Sequence, residues 1–202
     1  MKKYNLVIAR YNENLDWLKD LDVVNIDITV YNKGKDNIDF PFIQLPNIGG
    51  DAHTYIYHMT NDYNNLYDYT IFIQAYPFDH CIEFIAKMYN HKNQYFQFFE
   101  NDVELLAETI HCGWEQDIMK QRPEAAKHPI TYMENTAQEI LGKEDVPEYF
   151  LFAPGQQFIV SRDTVYRRKV EFYQNILNMF EYNYLLPWFL ERLWLDIFKI
   201  KL

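Results

Sequence analysis

The feature that most constrains this sequence is a short apolar stretch near its start that gives way at once to polar residues. Residues 4–9 read YNLVIA and are followed by Arg10, Tyr11, Asn12 and Glu13. An apolar run of this length that stops at turn-forming residues is typical of a buried strand. The sequence therefore predicts that the chain opens on a strand of a layered domain, and that a polar turn follows this strand.

Strands and helices then alternate along the chain, which indicates an α/β domain with a mainly parallel central sheet flanked by helices. Strands are predicted at residues 23–31, 42–45, 69–74, 150–153 and 157–160, and helices at residues 14–20, 78–89 and 163–182 and from residues 51 and 187 onward. The least regular part, residues 90–148, is expected to form short helices and loops that cover one face. We treat residues 1–202 as one domain with that segment as an insertion.

The composition supports a single folded domain of 202 residues, because 49 % of them are hydrophobic and disorder requires low hydrophobicity. The net charge is −10, and the basic residues form no long stripe. Since binding to nucleic acid requires a cationic surface, no nucleic-acid partner is expected. Aromatic residues make up 18 % of the chain. Most should lie in the core, and some exposed Tyr or Trp side chains could stack on sugar rings or bases.

The sequence also bears on the location of the protein. No stretch approaches the ~18 consecutive apolar residues of a membrane span, and the first apolar run is shorter than the core of a secretory signal. Cys81 and Cys112 are too few for a disulfide framework and are expected to be buried thiols. We therefore expect a cytoplasmic protein. Residues 184–202 are aromatic-rich and include basic residues, so a peripheral membrane contact is an alternative to their interpretation as a core helix.

Polar residues that follow predicted strands are the candidates for chemistry, because parallel sheets bind ligands beyond the carboxyl ends of their strands. Residues 74–80 follow one such strand, and there Asp79 and His80 could bind a divalent cation, or Asp79 could act as a base. Alternatively, Asp79 only caps the next helix. Arg10 ends the first strand, where it could bind a phosphate or carboxylate or form a surface salt bridge.

A further candidate base lies on the apolar C-terminal helix, where Arg192 follows Glu191. A carboxylate in an apolar neighbourhood can have a raised pKa and accept a proton. The alternative is that Glu191 forms an internal ion pair with Arg192, Arg162 or Arg167.

Several common functional motifs are absent from the sequence. His53 and His58 are five residues apart and do not share a helix face, and His111 and Cys112 are adjacent without a second ligand pair, so no zinc site is expected. The sequence contains no nucleophile elbow, no Walker loop and no G-x-G-x-x-G. This excludes the commonest hydrolase, NTPase and dinucleotide-binding classes.

Blocks that span nearly the whole chain resemble an uncharacterised family whose domain has no known function. They are VIARYNE (7–13), YNKG (31–34), LPNIG (45–49), AHTY (52–55), FIQAYPFDH (72–80), FAPGQQFIVSR (152–162) and ERLW (191–194). That family is in turn similar, more distantly, to glycosyltransferases of the GT-A fold and to rhamnan-synthesis-type proteins. The resemblance implies a GT-A-like single domain that transfers a sugar from a nucleotide-sugar donor to a hydroxyl of a glycan or other acceptor. Diphosphate would leave, and the product would be a surface glycan or polysaccharide.

The resemblance also implies roles for individual residues. Glu191 would be the base for the acceptor hydroxyl, with Asp79 as the alternative. Asp79 and His80 would hold a divalent cation, Mn or Mg, or the donor sugar. The residues expected to bind the nucleotide or the sugars are Arg10, Asn12, Gln74, Gln157 and Arg162. Of these, the two arginines and Asn12 would contact the phosphates, and Gln157 would line the acceptor side.

The sequence departs from the GT-A pattern in two places. The Asp-x-Asp that usually follows the fourth strand is replaced by residues 74–80, and the only such triplet, residues 20–22, precedes the second strand. Gly50 and Asp51 stand where an Arg-Glu pair is expected. A catalytically inert glycan- or nucleotide-binding domain is therefore the second hypothesis. The third is a metal-dependent hydrolase built on Asp79, His80 and Glu191.

Overall fold

The computed structural model describes residues 3–21, 26–92, 102–114 and 130–200. Its strands are β1 (Tyr4–Arg10), β2 (Ile26–Asn32), β3 (Phe42–Gln44), β4 (Tyr69–Gln74), β5 (Val103–Leu105), β6 (Ile110–Gly113), β7 (Tyr149–Phe152) and β8 (Phe158–Ser161). Its α-helices are α1 (Gly50–Asn61), α2 (Phe84–Lys92), α3 (Ile130–Leu141), α4 (Arg162–Val165), α5 (Val170–Met179) and α6 (Leu186–Ile197). Short 3-10 helices cover Asp16–Asp20, Tyr63–Asn65, Pro77–Asp79 and Lys143–Asp145. The chain is therefore an α/β protein, as predicted.

The central sheet has six strands in the order β3-β2-β1-β4-β8-β5. The first four of these run parallel, and β8 is antiparallel to both of its neighbours. The sheet is thus mainly parallel, as the alternation of strands and helices predicts. β2 and then β3 are added on one side of β1, and β4 lies on the other side of β1. The strand order reverses between β1 and β4, which is where open α/β sheets bind their ligands.

Both faces of the sheet are covered by other elements. Successive residues of a strand point to opposite sides, so β1 contributes side chains to two cores. Val7 and Ala9 belong to a core that α1, α3, α5 and α6 complete. Leu6 and Ile8 belong to a second core, completed by α2 and the 3-10 helix Asp16–Asp20. The uninterrupted apolar run of β1 therefore reflects burial on both sides.

The C-terminal segment is a core helix. The predicted apolar face of α6 is buried, and it consists of Leu190, Leu193, Trp194, Ile197 and, just beyond the helix, Phe198. Within the described residues, no helix is both long and apolar enough to cross a membrane. Cys81 and Cys112 are buried cysteines, as predicted.

The prediction of only helices and loops for residues 90–148 is wrong at two places. β5 joins the edge of the central sheet beside β8, and β6 pairs with β7 in a separate two-stranded sheet. These strands have three and four residues, too few to show an alternating pattern in the sequence. Their partners lie about fifty residues and about forty residues further along the chain. Residues 93–101 and 115–129 of this segment lie outside the described residues.

Two predicted helices are shorter than expected. The helix predicted at residues 163–182 is divided into α4 and α5, because Lys169 has an extended backbone with a ψ of 159°. The preceding residue, Arg168, donates to the carbonyls of Ile197, at 3.0 Å, and Asp196, at 3.3 Å, near the end of α6. The helix predicted from residue 78 begins at Phe84, after a 3-10 turn. The strands on either side of Pro154 and Gly155 pair with other strands and not with each other.

Candidate functional site

The carboxyl ends of β1, β2 and β4 lie side by side, because these strands are parallel neighbours. Arg10 ends β1 opposite Asn32, the last residue of β2, and Ala9 lies opposite Gln74, the last residue of β4. One further ladder bond joins the Ala75 N–H to the Ala9 carbonyl at 2.9 Å. The turns after these strands form one side of the sheet, termed the carboxyl edge below.

Arg10 is 4 % exposed, and its guanidinium is bound within the protein. It forms an ion pair with Asp36 at 2.6 Å and donates to Asn32 Oδ1 at 2.9 Å and to the Glu13 carbonyl at 2.8 Å. Hydrogen bonding to Arg10 lowers the pKa of the Asp36 carboxyl. Arg10 therefore ties the turn after β1 to the loop after β2, and the phosphate contact expected of it stays a prediction.

A groove of about 650 Å³ opens beside the turn after β1. Its apolar lining residues are buried or half-buried: Leu15, Leu18, Ile28, Ile38 and Phe40. Its polar lining residues include Asn12, Glu13, Asn14, Asp16, Lys19 and Asp39. Asn12 is exposed there, and its backbone N–H donates to the Glu13 carboxylate at 3.1 Å. The groove thus combines an apolar floor with a polar rim.

Lys33 follows β2 and is buried. Its backbone N–H donates to the Arg10 carbonyl at 2.7 Å. Its ammonium donates to the carbonyls of Ile48, at 2.7 Å, and Gly50. Burial lowers the pKa of Lys33 to about 8, although the charge of Asp51 opposes this shift. Lys33 therefore connects the carboxyl edge to the first turn of α1.

Asp51 is half-buried in the first turn of α1. Burial raises its pKa to about 6; the Lys33 ammonium opposes this shift, and the charges of Glu13 and Glu191 add to it. One helical turn later, Tyr55 is fully buried, and its hydroxyl has no hydrogen-bond partner among the described residues. Burial, together with the charges of Asp51 and Glu191, raises the pKa of Tyr55, so the phenol keeps its proton. Three acids, one ammonium and one unpaired hydroxyl therefore interact around the N-terminus of α1.

Glu191 approaches this region from α6, and both of its carboxylate oxygens are engaged. Oε1 accepts a hydrogen bond from the Gly155 N–H at 2.8 Å, and Oε2 forms an ion pair with Arg192. The buried Arg192 guanidinium lies over the rings of Phe152 and Trp188, 4.4 and 4.2 Å from their centroids. The internal ion pair considered as the alternative for Glu191 is thus present.

The turn after β4 contacts the turn between β7 and β8. Gln157 donates from its side chain to the Pro77 carbonyl at 3.0 Å. His80 packs so closely against Gly155 that a Cβ atom on this glycine would overlap the imidazole ring. Gln74 ends β4 beside this contact. The structure therefore brings Gln74, His80 and Gln157 together with Glu191 at the carboxyl edge.

Asp79 and His80 are exposed, and Asp79 lies in a 3-10 turn that ends well before α2 begins at Phe84. The interpretation of Asp79 as the cap of that helix therefore does not hold. In the part of the chain that the structure describes, no three Asp, Glu, His or Cys side chains are grouped so that they could hold a metal ion. The cation predicted at Asp79 and His80 would need its other ligands from water or from a bound substrate.

Arg162 lies at the opposite edge of the sheet. Because β8 is antiparallel to β4, Ser161 lies opposite Tyr69, the first residue of β4. Arg162 follows Ser161 and forms an ion pair with Asp68 at 3.2 Å. The six residues of β4, at ~3.3 Å each, separate it from the carboxyl edge. Arg10 and Arg162 therefore do not meet at one set of phosphates, contrary to the prediction.

Two residues of this region were not among the sequence candidates. The rule that selects Arg10 and Gln74, a polar residue at or after the end of a parallel strand, also selects Lys33 once β2 is placed. Asp51 stands out in the sequence only as a departure from the GT-A pattern. Its charged neighbours, such as Glu191, come from distant parts of the chain, so no local signal identifies it.

The chain matches one family model over nearly its whole length. The family is described as protein of unknown function (DUF3431), and the match covers residues 6–201. The chain belongs to this family, which confirms the resemblance to an uncharacterised family. No curated protein and no solved structure matches the chain significantly.

Proposed function

We propose that this chain, as a member of that family, is a glycosyltransferase of the GT-A type. It would move a sugar from a nucleoside-diphosphate donor to a hydroxyl of a glycan or another acceptor. The observation that carries the proposal is the groove at the carboxyl edge, whose lining residue Glu13 also acts through its charge on Asp51 in the first turn of α1. Glycosyl transfer needs a recess for the nucleotide, a proton acceptor and a group that stabilises the departing diphosphate. The carboxyl edge supplies a candidate for each.

The groove supports nucleotide binding by its size, lining and place. A volume of about 650 Å³ lies within the range of small-molecule sites. The apolar floor, which includes Leu18 and Ile28, suits the face of a base, and the polar rim suits ribose hydroxyls. The groove is lined by Arg10 at the end of β1 and by residues of the segments that follow β1 and β2, at the end of the sheet where open α/β proteins bind ligands.

Positive potential for the departing diphosphate would come from Lys33 and the first turn of α1. The first N–H groups of a helix lack intrahelical partners, and the helix dipole favours an anion there. Lys33 uses two of its three N–H donors on the carbonyls of Ile48 and Gly50. A Cβ atom on Gly50 would meet no atom within 4 Å, so space is available beside this turn. Arg10 would act indirectly, by fixing the two loops that flank the groove.

A divalent cation, Mn or Mg, remains part of the proposal. Asp79 and His80 would supply a carboxylate and an imidazole, and the phosphate oxygens of the donor would supply further ligands. No other feature of the proposed reaction depends on this cation.

The acceptor would lie near two tyrosines that are half exposed. Tyr11 follows β1 and Tyr76 follows β4, and these strands are neighbours, so both side chains belong to the carboxyl edge. A tyrosine ring can cover the apolar face of a sugar while its hydroxyl stays in water. Gln157 lies close by, and its side-chain oxygen is buried without a partner among the described residues.

A second candidate function is an inert glycan- or nucleotide-binding domain. It is favoured by the engagement of Glu191 with Gly155 and Arg192, which leaves this carboxylate without a free oxygen. The hydrolase hypothesis has less support, because the described residues hold no metal-binding cluster around Asp79, His80 and Glu191.

A thermal-shift panel of nucleoside diphosphates, with and without manganese, tests the proposal. A ligand that binds only the folded state raises the melting temperature by mass action. In the variant Ile38→Trp a larger side chain fills the groove, and we expect it to lose the shift. The control variant, Ile43→Trp, changes an exposed residue of β3 that does not line the groove, and it should keep the shift.

Turnover assays with nucleotide sugars then distinguish the two functions. Release of the nucleoside diphosphate that depends on an acceptor supports the transferase. Binding without any turnover supports the inert domain. If no nucleoside diphosphate raises the melting temperature of the unmodified protein, neither the transferase nor a nucleotide-binding domain is supported, and the proposal is wrong.

A further inference from the structure

We propose that Asp51 accepts the proton of the acceptor hydroxyl, and that Tyr55 donates a hydrogen bond to a substrate oxygen beside it. This inference rests on the proposed glycosyl transfer and assigns the proton to a residue that the family resemblance does not single out. Glu191, which the resemblance implies as the base, then acts as a positioning residue.

The backbone around Asp51 is held in place by Lys33. The Lys33 ammonium binds the carbonyls of Ile48 and Gly50, so the segment that leads into α1 is clamped on both sides of Gly49. Gly49 has the left-handed φ of 61°, which glycine adopts without strain. The Asp51 carboxylate is therefore presented from a rigid turn, and no described residue donates a hydrogen bond to it.

The unpaired hydroxyl of Tyr55 is an independent sign that a ligand binds here. A buried hydroxyl without a partner is unfavourable, and a bound molecule is one way to satisfy it. Tyr55 carries one of six such polar side-chain atoms among the described residues, and it is the one on which the charges of both Asp51 and Glu191 act. This hydroxyl is fully buried, one helical turn beyond Asp51, and the charges of Asp51 and Glu191 both act on it. A substrate oxygen between the two carboxylates would give the hydroxyl its missing acceptor.

Glu191 is less suited than Asp51 to take up the proton. One of its oxygens accepts from Gly155 and the other is paired with Arg192, so protonation would cost these contacts. The charged groups that face Asp51 are Lys33 from the end of β2, Glu13 from the turn after β1 and Glu191 from α6. Burial and the two acids raise the pKa of Asp51 to about 6, which is near the pH at which a base is efficient.

The step balances without an oxidant or reductant. The acceptor O–H bond breaks, and its proton moves to the Asp51 carboxylate. The acceptor oxygen forms a bond to the anomeric carbon of the donor sugar, and the bond from that carbon to the diphosphate oxygen breaks. Its electron pair leaves with the nucleoside diphosphate.

The test compares Asp51→Asn with a matched control, Asp163→Asn. Both change an aspartate in the first turn of a helix, but Asp163 is exposed and lies at the opposite edge of the sheet. We expect Asp51→Asn to lower kcat for sugar transfer about 10²- to 10⁴-fold, the usual contribution of a general base. The thermal shift caused by a nucleoside diphosphate should persist in Asp51→Asn, which shows that the variant is folded. Asp163→Asn should match the unmodified protein in both measurements.

The pH dependence of kcat gives a second readout. In the unmodified protein, kcat should fall as the pH is lowered and Asp51 becomes protonated. This fall, the acidic limb of the pH profile, should be absent in Asp51→Asn. Lys33→Met removes the positive charge that opposes protonation of Asp51, so its acidic limb should move to higher pH.

Full activity of Asp51→Asn, or an acidic limb that persists in it, would overturn the role of Asp51 while leaving the transferase intact. Absence of sugar transfer in the unmodified protein would instead overturn the proposed function, and the inference with it.

Discussion

The Tyr55 hydroxyl is a single group whose effects on stability and on function should have opposite signs. It is buried, and no described residue accepts its hydrogen bond. Leaving such a group without a partner typically costs about 1–3 kcal/mol. Tyr173 differs from Tyr55 in this respect. It is equally buried, but its hydroxyl donates to the Val165 carbonyl at 2.9 Å. The two tyrosines therefore form a natural pair for comparison.

We predict that Tyr55→Phe keeps or raises the free energy of unfolding while it lowers kcat for sugar transfer about tenfold. The stability follows from removing an unpaired polar group, and the loss of activity corresponds to one lost hydrogen bond, about 1.4 kcal/mol. Tyr173→Phe should lower the free energy of unfolding by about 1 kcal/mol and leave kcat unchanged. Urea unfolding and transfer assays measure both effects. If Tyr55→Phe destabilises the protein as Tyr173→Phe does, the Tyr55 hydroxyl has a partner in the free protein and its assigned role is wrong.

Among the elements, the turn between β7 and β8 links three candidate residues, His80, Gln157 and Glu191. Gly155 adopts a φ of 83°, donates its N–H to Glu191 and lies directly against His80. Gln157 extends the same turn to the Pro77 carbonyl at 3.0 Å. This turn therefore sets the relative positions of α6 and the loop after β4.

We predict that Gly155→Ala impairs transfer activity more than Gly142→Ala does. Both glycines have a φ that favours glycine, 83° and 94°, and Gly142 combines it with a ψ of 152°, so substitution strains the backbone at both positions, by about 1–3 kcal/mol at Gly142. Only at Gly155 does the added methyl group overlap another side chain, the His80 ring; nothing lies within 4 Å of it at Gly142. Measurements of kcat for the two variants test this difference. Equal effects would show that the contact between His80 and Gly155 does not organise the site.

The same elements show how far the sequence could predict the structure. β1 and β4 are uninterrupted apolar runs, because both of their faces are buried, and such runs are visible locally. β5 and β6 have no such pattern, since their short lengths and their partners are fixed only by the assembled sheet. The candidate site likewise contains residues that the local sequence identifies and residues that it does not. Gln74 and His80 could be predicted from their place after a strand, whereas the region around Asp51 depends on contacts between residues far apart in the chain.

At the scale of the whole molecule, three buried or half-buried acids among the described residues have a pKa well above the ordinary value. Burial raises the pKa of Asp51 to about 6 and those of Glu104 and Asp196 to about 7. These groups lie at the start of α1, on the edge strand β5 and on α6, so the effect is distributed over the fold. The pKa of His53 is shifted in the opposite direction. Burial and, to a smaller extent, the charge of Lys33 lower it to about 4.

The sign of the effect on stability follows from the protons bound in each state. Between about pH 4 and pH 7 the folded state holds protons on the three acids that the unfolded state has released, so stability falls as the pH rises. In part of this range His53 is neutral in the folded state and protonated in the unfolded state, which opposes the fall. Asp36 and Asp62, whose pKa values are lowered by hydrogen bonds to Arg10 and His58, contribute only below this range. Because three acids lower the free energy of unfolding as the pH rises and only His53 raises it, the net effect is a loss of stability.

We predict that the free energy of unfolding falls by on the order of 2 kcal/mol between pH 5 and pH 8. The double variant Glu104→Gln/Asp196→Asn should lose most of this slope, because two of the three acids can no longer ionise. The matched control, Glu108→Gln/Asp163→Asn, removes the same formal charge at two exposed positions and should keep the slope. Urea unfolding at each pH measures all three proteins. Identical slopes in the two double variants would attribute the pH dependence to the net charge of −10 rather than to the buried acids.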